Sequence, residues 1–148
     1  MEREERKSLN GSDAPAFLDT NYLIRYFTCD PPEMADQAAL VIDSEEPLII
    51  SEYVILESAH VLSSVYKISR QEIVDALIEL VQRPSILLPV LPKPRVLAAL
   101  DLCRGSKRYS FTDAFLWAQA LEAGTESRVY TFDGRFPSQG ITILRPRP

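Results

Sequence analysis

Short apolar runs alternate along this chain with longer stretches in which apolar residues recur every three or four positions. Ala16-Phe17-Leu18, Leu48-Ile49-Ile50, Ile86 to Leu91, Arg128 to Phe132 and Ile141 to Leu144 are brief and rich in β-branched and aromatic residues, which predicts strands. The stretches between them carry helix signals. Asp30-Pro-Pro-Glu33 offers an N-cap, an early proline and an acid at the capping-box position ahead of Ala35 to Ile42. Ser51 is placed to cap a helix reaching about Tyr66, with Val54, Ile55, Ala59, Leu62 and Val65 on its apolar face. Ser69-Arg-Gln-Glu72 is a second capping box, followed by Leu77, Ile78 and Val81. Two more helices are predicted over roughly Pro94 to Arg104 and Thr112 to Ala123, each with a glycine just past its end.

Strands separated by helices imply crossover connections and a mainly parallel sheet covered on both faces, a three-layer α/β/α sandwich. The 148 residues fit one domain, assigned to residues 15–148, while residues 1–14 are polar and charged with almost nothing to bury and read as a flexible tail. Hydrophobic residues make up 46% and charged residues 25%, which sets aside a disordered or fibrous chain. No apolar run approaches the ~18 residues of a membrane span, and the start is charged where a signal peptide is apolar. A cytoplasmic protein with no membrane partner is expected. Cys29 and Cys103 form no metal-binding pattern and are expected to be buried thiols. With 16 basic and 21 acidic residues the net charge is −5, so any nucleic-acid contact has to be local.

In open parallel sheets ligands bind outside the carboxyl ends of the strands. Asp19 directly follows the first apolar run and Asp133 follows Val129 to Phe132. Asp113 falls in the first turn of a helix, and Glu57 sits mid-helix in a stretch nearly free of charge. Taken singly, Asp19 reads as a helix cap, Asp133 as a turn residue and Asp113 as a complement to a helix dipole. Together, the four can converge at one sheet edge. Clustered carboxylates repel unless some are protonated or a cation neutralises them, and hard oxygen donors select Mg²⁺ or Mn²⁺. A cation held by carboxylates alone suits phosphoryl chemistry. Thr20 and Asn21 are placed to orient Asp19. The single histidine, His60, follows Glu57 by one turn and is expected to pack or to act behind the acids.

The motifs Phe17-Leu-Asp-Thr-Asn-Tyr-Leu-Ile-Arg-Tyr26, Ser51-Glu-Tyr-Val-Ile-Leu-Glu57, Phe111-Thr-Asp-Ala-Phe115 and Thr131-Phe-Asp-Gly-Arg-Phe136 resemble those of the PIN-domain ribonucleases, specifically the VapC toxins of prokaryotic toxin–antitoxin pairs. The resemblance runs from about Ala16 to Leu144. It implies a Mg²⁺- or Mn²⁺-dependent endoribonuclease in which Asp19, Glu57, Asp113 and Asp133 are the catalytic and metal-binding acids, supported by Thr20 and Asn21. It also implies an RNA substrate, a homodimer and a VapB-like antitoxin whose C-terminal segment blocks the site. The chain departs from the pattern in its longer polar lead before Pro15 and in Thr112, where alanine or serine is usual; Thr112 is placed to hydrogen-bond Asp113.

Arg25, Arg104, Lys107, Arg108 and Arg135 are candidates for contacting RNA phosphates, weighed equally against an ordinary solvated surface. Tyr109 and Phe111 are candidates for stacking a base, although core packing is the expected role of Phe111. Competing functions are a receiver domain or haloacid-type phosphatase, a noncatalytic PIN-like binding module, and a housekeeping nuclease without a toxin role. The phosphatase requires Asp-x-Asp where this chain has Asp19-Thr20-Asn21. A receiver lacks its paired acids and late lysine here. A noncatalytic module would be marked by a missing acid, and all four are present.

Overall fold

Five strands, all paired in parallel, form a sheet of order β3-β2-β1-β4-β5 in the computed structural model, which describes residues 14–124 and 126–145. They are β1 (Ala16–Leu18), β2 (Leu48–Ile49), β3 (Ile86–Leu87), β4 (Arg128–Tyr130) and β5 (Thr142–Leu144). The six helices among the described residues are α1 (Thr20–Thr28), α2 (Pro32–Ile42), α3 (Glu52–Ser64), α4 (Arg70–Val81), α5 (Lys93–Gly105) and α6 (Phe111–Ala123). Successive residues of a strand face opposite sides of the sheet. Ala16, Phe17 and Leu18 are all buried, so both faces of β1 are covered, as the α/β/α layering requires.

The main core gathers β1 with Tyr22 and Leu23 of α1, Val54 of α3 and the buried stripe Ala114, Leu116, Trp117, Ala118 and Ala120 of α6. A smaller cluster of Ile24, Leu62 and Ile73 ties α1, α3 and α4 together. Among the described residues no helix is long and apolar enough to cross a membrane. The polar segment expected over residues 1–14 lies outside the described residues except for Ala14.

Several local expectations are corrected. Ile86 to Leu91 pairs only over Ile86–Leu87, because β3 is an edge strand and Pro89, lacking an N–H, cannot extend the ladder. Asp30 is not a helix cap. Pro31 holds the cap position without a side-chain bond and Pro32 opens α2, where a missing N–H costs nothing. Ser51 and Ser69 do cap α3 and α4, accepting from Tyr53 N and Glu72 N. Neither cysteine is buried: Cys29 is exposed at the end of α1 in a left-handed backbone conformation, and Cys103 is half-buried.

From β1 the chain moves outward to β2 and β3, then crosses back to β4 and β5 on the other side. The strand order therefore reverses between β1 and β4. Side chains just past the carboxyl ends of these two strands face a common crevice, the expected place for a ligand.

Candidate active site at the carboxyl edge of the sheet

Asp19 is the first residue past β1, and its backbone N–H still donates to Tyr130 O at 2.9 Å. Its extended backbone (φ −82°, ψ 159°) turns the chain into α1, and its Oδ1 accepts from Thr20 N at 2.7 Å. Asp19 is thus the helix cap that its position alone predicts. It is also 2% exposed, with Oδ2 accepting from the Thr131 hydroxyl. Burial pushes this carboxyl from 3.8 up to about 6; the bonds from Thr131 and Thr20 pull it down, and the negative charges of Glu57 and Asp133 raise it further.

Thr131 is a site residue that the sequence reading did not single out. The parallel register that sets Leu18 beside Tyr130 brings Thr131 beside Asp19 one residue on. Its Oγ1 donates to Asp19 and accepts from Asp133 N at 3.0 Å, so one buried hydroxyl joins the two strand-end acids. The signal was present: Thr131 stands two residues before Asp133, the spacing at which a threonine hydroxyl takes up the amide of a turn. Asp133 Oδ1 in turn accepts from Arg135 N at 2.8 Å, closing its own turn.

Glu57 reaches the same edge from α3. Its Oε2 accepts from Thr20 Oγ1 at 2.9 Å, so Thr20 supports two acids, Asp19 through its amide and Glu57 through its hydroxyl. Asn21 is exposed and stands outside this network, contrary to the role expected for it. Asp113 comes from the first turn of α6, half-buried, its N–H donating to the Ser110 cap at 3.0 Å. Burial, followed by the charges of Asp19 and Glu57, pushes the Asp113 carboxyl up to about 7, with the Ser110 hydroxyl pulling down and Asp133 adding a smaller push up. Ser110, one turn back at the cap, is the hydroxyl bonded to Asp113, and the bond expected from Thr112 is not formed. His60 is exposed and neither packs nor backs the acids.

The four acids therefore share one electrostatic field, although among the described residues no three acid, histidine or cysteine side chains stand close enough to hold an ion as they are. Their donor chemistry suits a hard divalent cation. All four offer only carboxylate oxygens, and Asp19 and Asp113 are driven toward protonation by burial and by neighbouring acids, a state that bound positive charge would reverse.

The proposed cationic rim is only partly assembled. Arg25 donates to Asp30 O at 3.0 Å and to Tyr66 Oη at 3.2 Å, beyond the far end of α1. Arg104 pairs with Asp101 at 3.3 Å. Lys107 and Arg108 lie exposed in the loop leading to Ser110, and Arg135 lies exposed behind Asp133. Arg145, not singled out from the sequence, follows β5 and packs so closely that a Cβ on Gly134 would stand 3.2 Å from its Nη2. Phe111 is 66% exposed, so its expected place in the core is wrong.

Residues 16–140 match the family model described as PIN domain. Among solved structures, VapC20 of Mycobacterium tuberculosis, a sarcin-ricin loop cleaving toxin, superposes with a TM-score of 0.68 at 21% identity, covering 88% of this chain and 99% of that one. VapBC2 from Rickettsia felis, bound to a DNA fragment from its promoter, gives 0.62 at 14% identity over 90% of this chain and 100% of that one. FitAcB from Neisseria gonorrhoeae gives 0.57 at 18% identity over 88% and 97%. At these identities the likeness is one of fold. Among curated proteins no sequence matches the chain.

Proposed function

The chain belongs to the PIN-domain family, and from that premise we propose that it is a divalent-cation-dependent endoribonuclease serving as the toxin of a toxin–antitoxin pair. The observation that carries the reading is the elevation of buried Asp19 and half-buried Asp113, both raised first by burial and then by neighbouring acids, Glu57 and Asp133 for Asp19, and Asp19, Glu57 and Asp133 for Asp113. Such a group weakens the fold on its own and becomes favourable only with a cation among the acids. Asp19, Glu57, Asp113 and Asp133 would hold Mg²⁺ or Mn²⁺. When bound, the ion would supply charge to the phosphate and lower the pKa of a water that attacks it.

The protein's own contribution is orientation. Thr131 fixes Asp19 and Thr20 fixes Glu57, each through a hydroxyl that leaves the carboxylate's charge available, while the Ser110 hydroxyl accepts from the Asp113 N–H at the helix cap and lowers the Asp113 carboxyl. Lys107, Arg108 and Arg135 are the rim cations free to meet RNA phosphates; Arg25 and Arg104 are engaged elsewhere. The toxin role draws on the fold shared with VapC20, VapBC2 and FitAcB, and with it comes a small antitoxin partner carrying a basic tail that pairs with the acids. Leu40 on α2, Leu56 on α3 and Val65 just past the end of α3 are exposed, which supports a homodimer formed through these helices. A cytoplasmic setting fits an RNA target.

Purified protein should cut RNA with Mg²⁺ or Mn²⁺ and stop in excess EDTA. Expression of the chain alone should arrest bacterial growth, Asp113→Ala should abolish the arrest, and co-expression of the neighbouring small gene should relieve it. Undiminished cleavage in EDTA refutes the metal reading. Harmless expression of a chain that still cuts RNA removes the toxin role and leaves the nuclease.

A further inference from the structure

The edge of the sheet opposite the acids carries a second concave site. All strands run the same way, so the segment joining α2 to β2 and the segment joining α4 to β3 both lie at the amino edge. Between them is a cleft of about 590 Å³, within the size range of small-molecule sites. Asp43 and Glu45 line it from the first segment, Arg83 and Ser85 from the second, and its apolar wall is made by Ile42 and two prolines, Pro47 and Pro84.

The charges of this cleft do not balance. Arg83 is the cation of the lining, and it is already engaged: Nη1 pairs with Asp43 Oδ1 at 2.9 Å, and Nη2 donates to Tyr26 Oη at 2.9 Å. Tyr26 Oη donates to the same Asp43 oxygen at 2.6 Å, which closes a neutral triad. Glu45 and the adjoining Glu46 are left over, and among the described residues neither takes part in an ion pair. Glu45 enters the lining through a left-handed backbone (φ 57° to 65° among such residues here, 65° for Glu45), a conformation that costs any residue with a Cβ.

This composition selects among ligands. An anion meets unpaired carboxylates and no unpaired cation. A bare metal ion lacks a donor set, because among the described residues no three acid, histidine or cysteine side chains stand close enough to hold one. A neutral apolar molecule uses the wall and leaves Glu45 unanswered. An aliphatic chain carrying ammonium groups answers both, since methylenes lie along apolar surface while the charged ends meet carboxylates.

We propose that the cleft binds a linear aliphatic polyamine, with methylenes against Ile42, Pro47 and Pro84, one ammonium on Glu45 and the Ser85 hydroxyl, and a second reaching Glu46. The site lies across the sheet from the acid crevice and is independent of the nuclease reading.

The test titrates the full chain, free of RNA and of divalent metal, with spermidine, followed by calorimetry and amide NMR. Putrescine and butanediol, which share a methylene chain and differ in charge, serve as a matched pair of probes. Both amines should shift the amides of Ser44, Glu45, Glu46 and Ser85, and the diol should bind about tenfold more weakly than the diamine. Glu45→Gln should weaken spermidine about fivefold. Ser85→Lys, which supplies an ammonium of its own, should abolish the shifts. Shifts confined to the amides of Asp19, Thr20 and Asp113 place the amines in the acid crevice and overturn the proposal, as does a diol that binds as well as the diamine. Should Ser85→Lys fail to fold, Glu45→Gln decides alone: undiminished affinity and unchanged shifts at Ser44 and Ser85 in that variant refute the site.

Discussion

Replacing Asp19 by asparagine keeps the shape of the side chain and removes its charge, which separates the cost of the acid from its packing. The carboxyl rises from 3.8 to about 6 in the fold, first through burial and then through the neighbouring Glu57 and Asp133. A folded value above the unfolded one means that, between about pH 4 and pH 6, the native state keeps a proton that the unfolded chain has released. Stability therefore falls as pH rises through that window, and the whole penalty is present above it. At about 1.4 kcal/mol for each tenfold change in proton affinity, the ionised carboxylate costs about 3 kcal/mol at pH 8. Asparagine forfeits part of the pairing with the Thr20 amide and the Thr131 hydroxyl, about 1 kcal/mol. Asp19→Asn should thus gain about 2 kcal/mol at pH 8 and gain little or lose slightly at pH 4. Urea unfolding in EDTA at the two pH values measures the difference. Because Asp19 is the largest of the charges raising Asp113, carbon NMR of the Asp113 carboxyl should also show its titration move down in the variant. A variant less stable than wild type at pH 8, or a gain of equal size at both pH values, refutes the argument that the acids strain the fold.

Thr131→Val deprives Asp19 of a donor and Asp133 N of an acceptor in one step, both at a buried atom, and should destabilise by about 1–3 kcal/mol in the same urea experiment. It should also lift the Asp19 carboxyl above its present value, since the Thr131 bond is the larger of the two that hold it down. Gly140→Ala places a Cβ 2.9 Å from Leu121 Cδ2 at a residue with φ +76°, so it should lose about 1 kcal/mol or more, read as a lower melting temperature with RNA cleavage intact below it. Leu56→Glu introduces charge on the exposed face of α3, and light scattering at micromolar concentration should fall from the mass of two chains to that of one; a wild-type protein already at the mass of one chain disproves the dimer.

The parts of the fold readable in advance were those set by neighbours in sequence. Ser51 and Ser69 cap their helices because a hydroxyl reaches amides two or three residues on, a local event that the spelling of the segment determines. Asp19 and Asp133 were located because an acid after an apolar run marks a strand end wherever the sheet lies. What could not be read depended on partners far along the chain. The bond from Thr131 to Asp19 spans 112 positions and exists only because β4 lies next to β1 in that register. Phe111 has the periodicity of a core residue, and periodicity tells which face of a helix is apolar without telling where the sheet beneath it ends. Arg25 looked like part of a cationic rim because it belongs to the helix that Asp19 caps. Its contacts with Asp30 and Tyr66 place it at the other end of that helix.

The contrast between structural and functional readings of these acids dissolves in the geometry. Asp19 caps α1 with one oxygen, and the same bond holds its carboxyl at the crevice. The difference between a capping aspartate and a site aspartate lies in what else surrounds it. Elsewhere the protein neutralises acids directly, pairing Arg83 with Asp43, Arg95 with Glu122 and Arg104 with Asp101. Among the described residues none of these ion pairs reaches Asp19, Glu57, Asp113 or Asp133, and three of the four are oriented by hydroxyls instead. A hydroxyl fixes the direction of a carboxylate without cancelling its charge, whereas a guanidinium does both. An arrangement that served stability alone would use the second device, since it removes the repulsion that lifts Asp19 and Asp113. Orienting three of the four acids this way leaves a negative field at the sheet edge, which protonation or a cation arriving from solution can relieve.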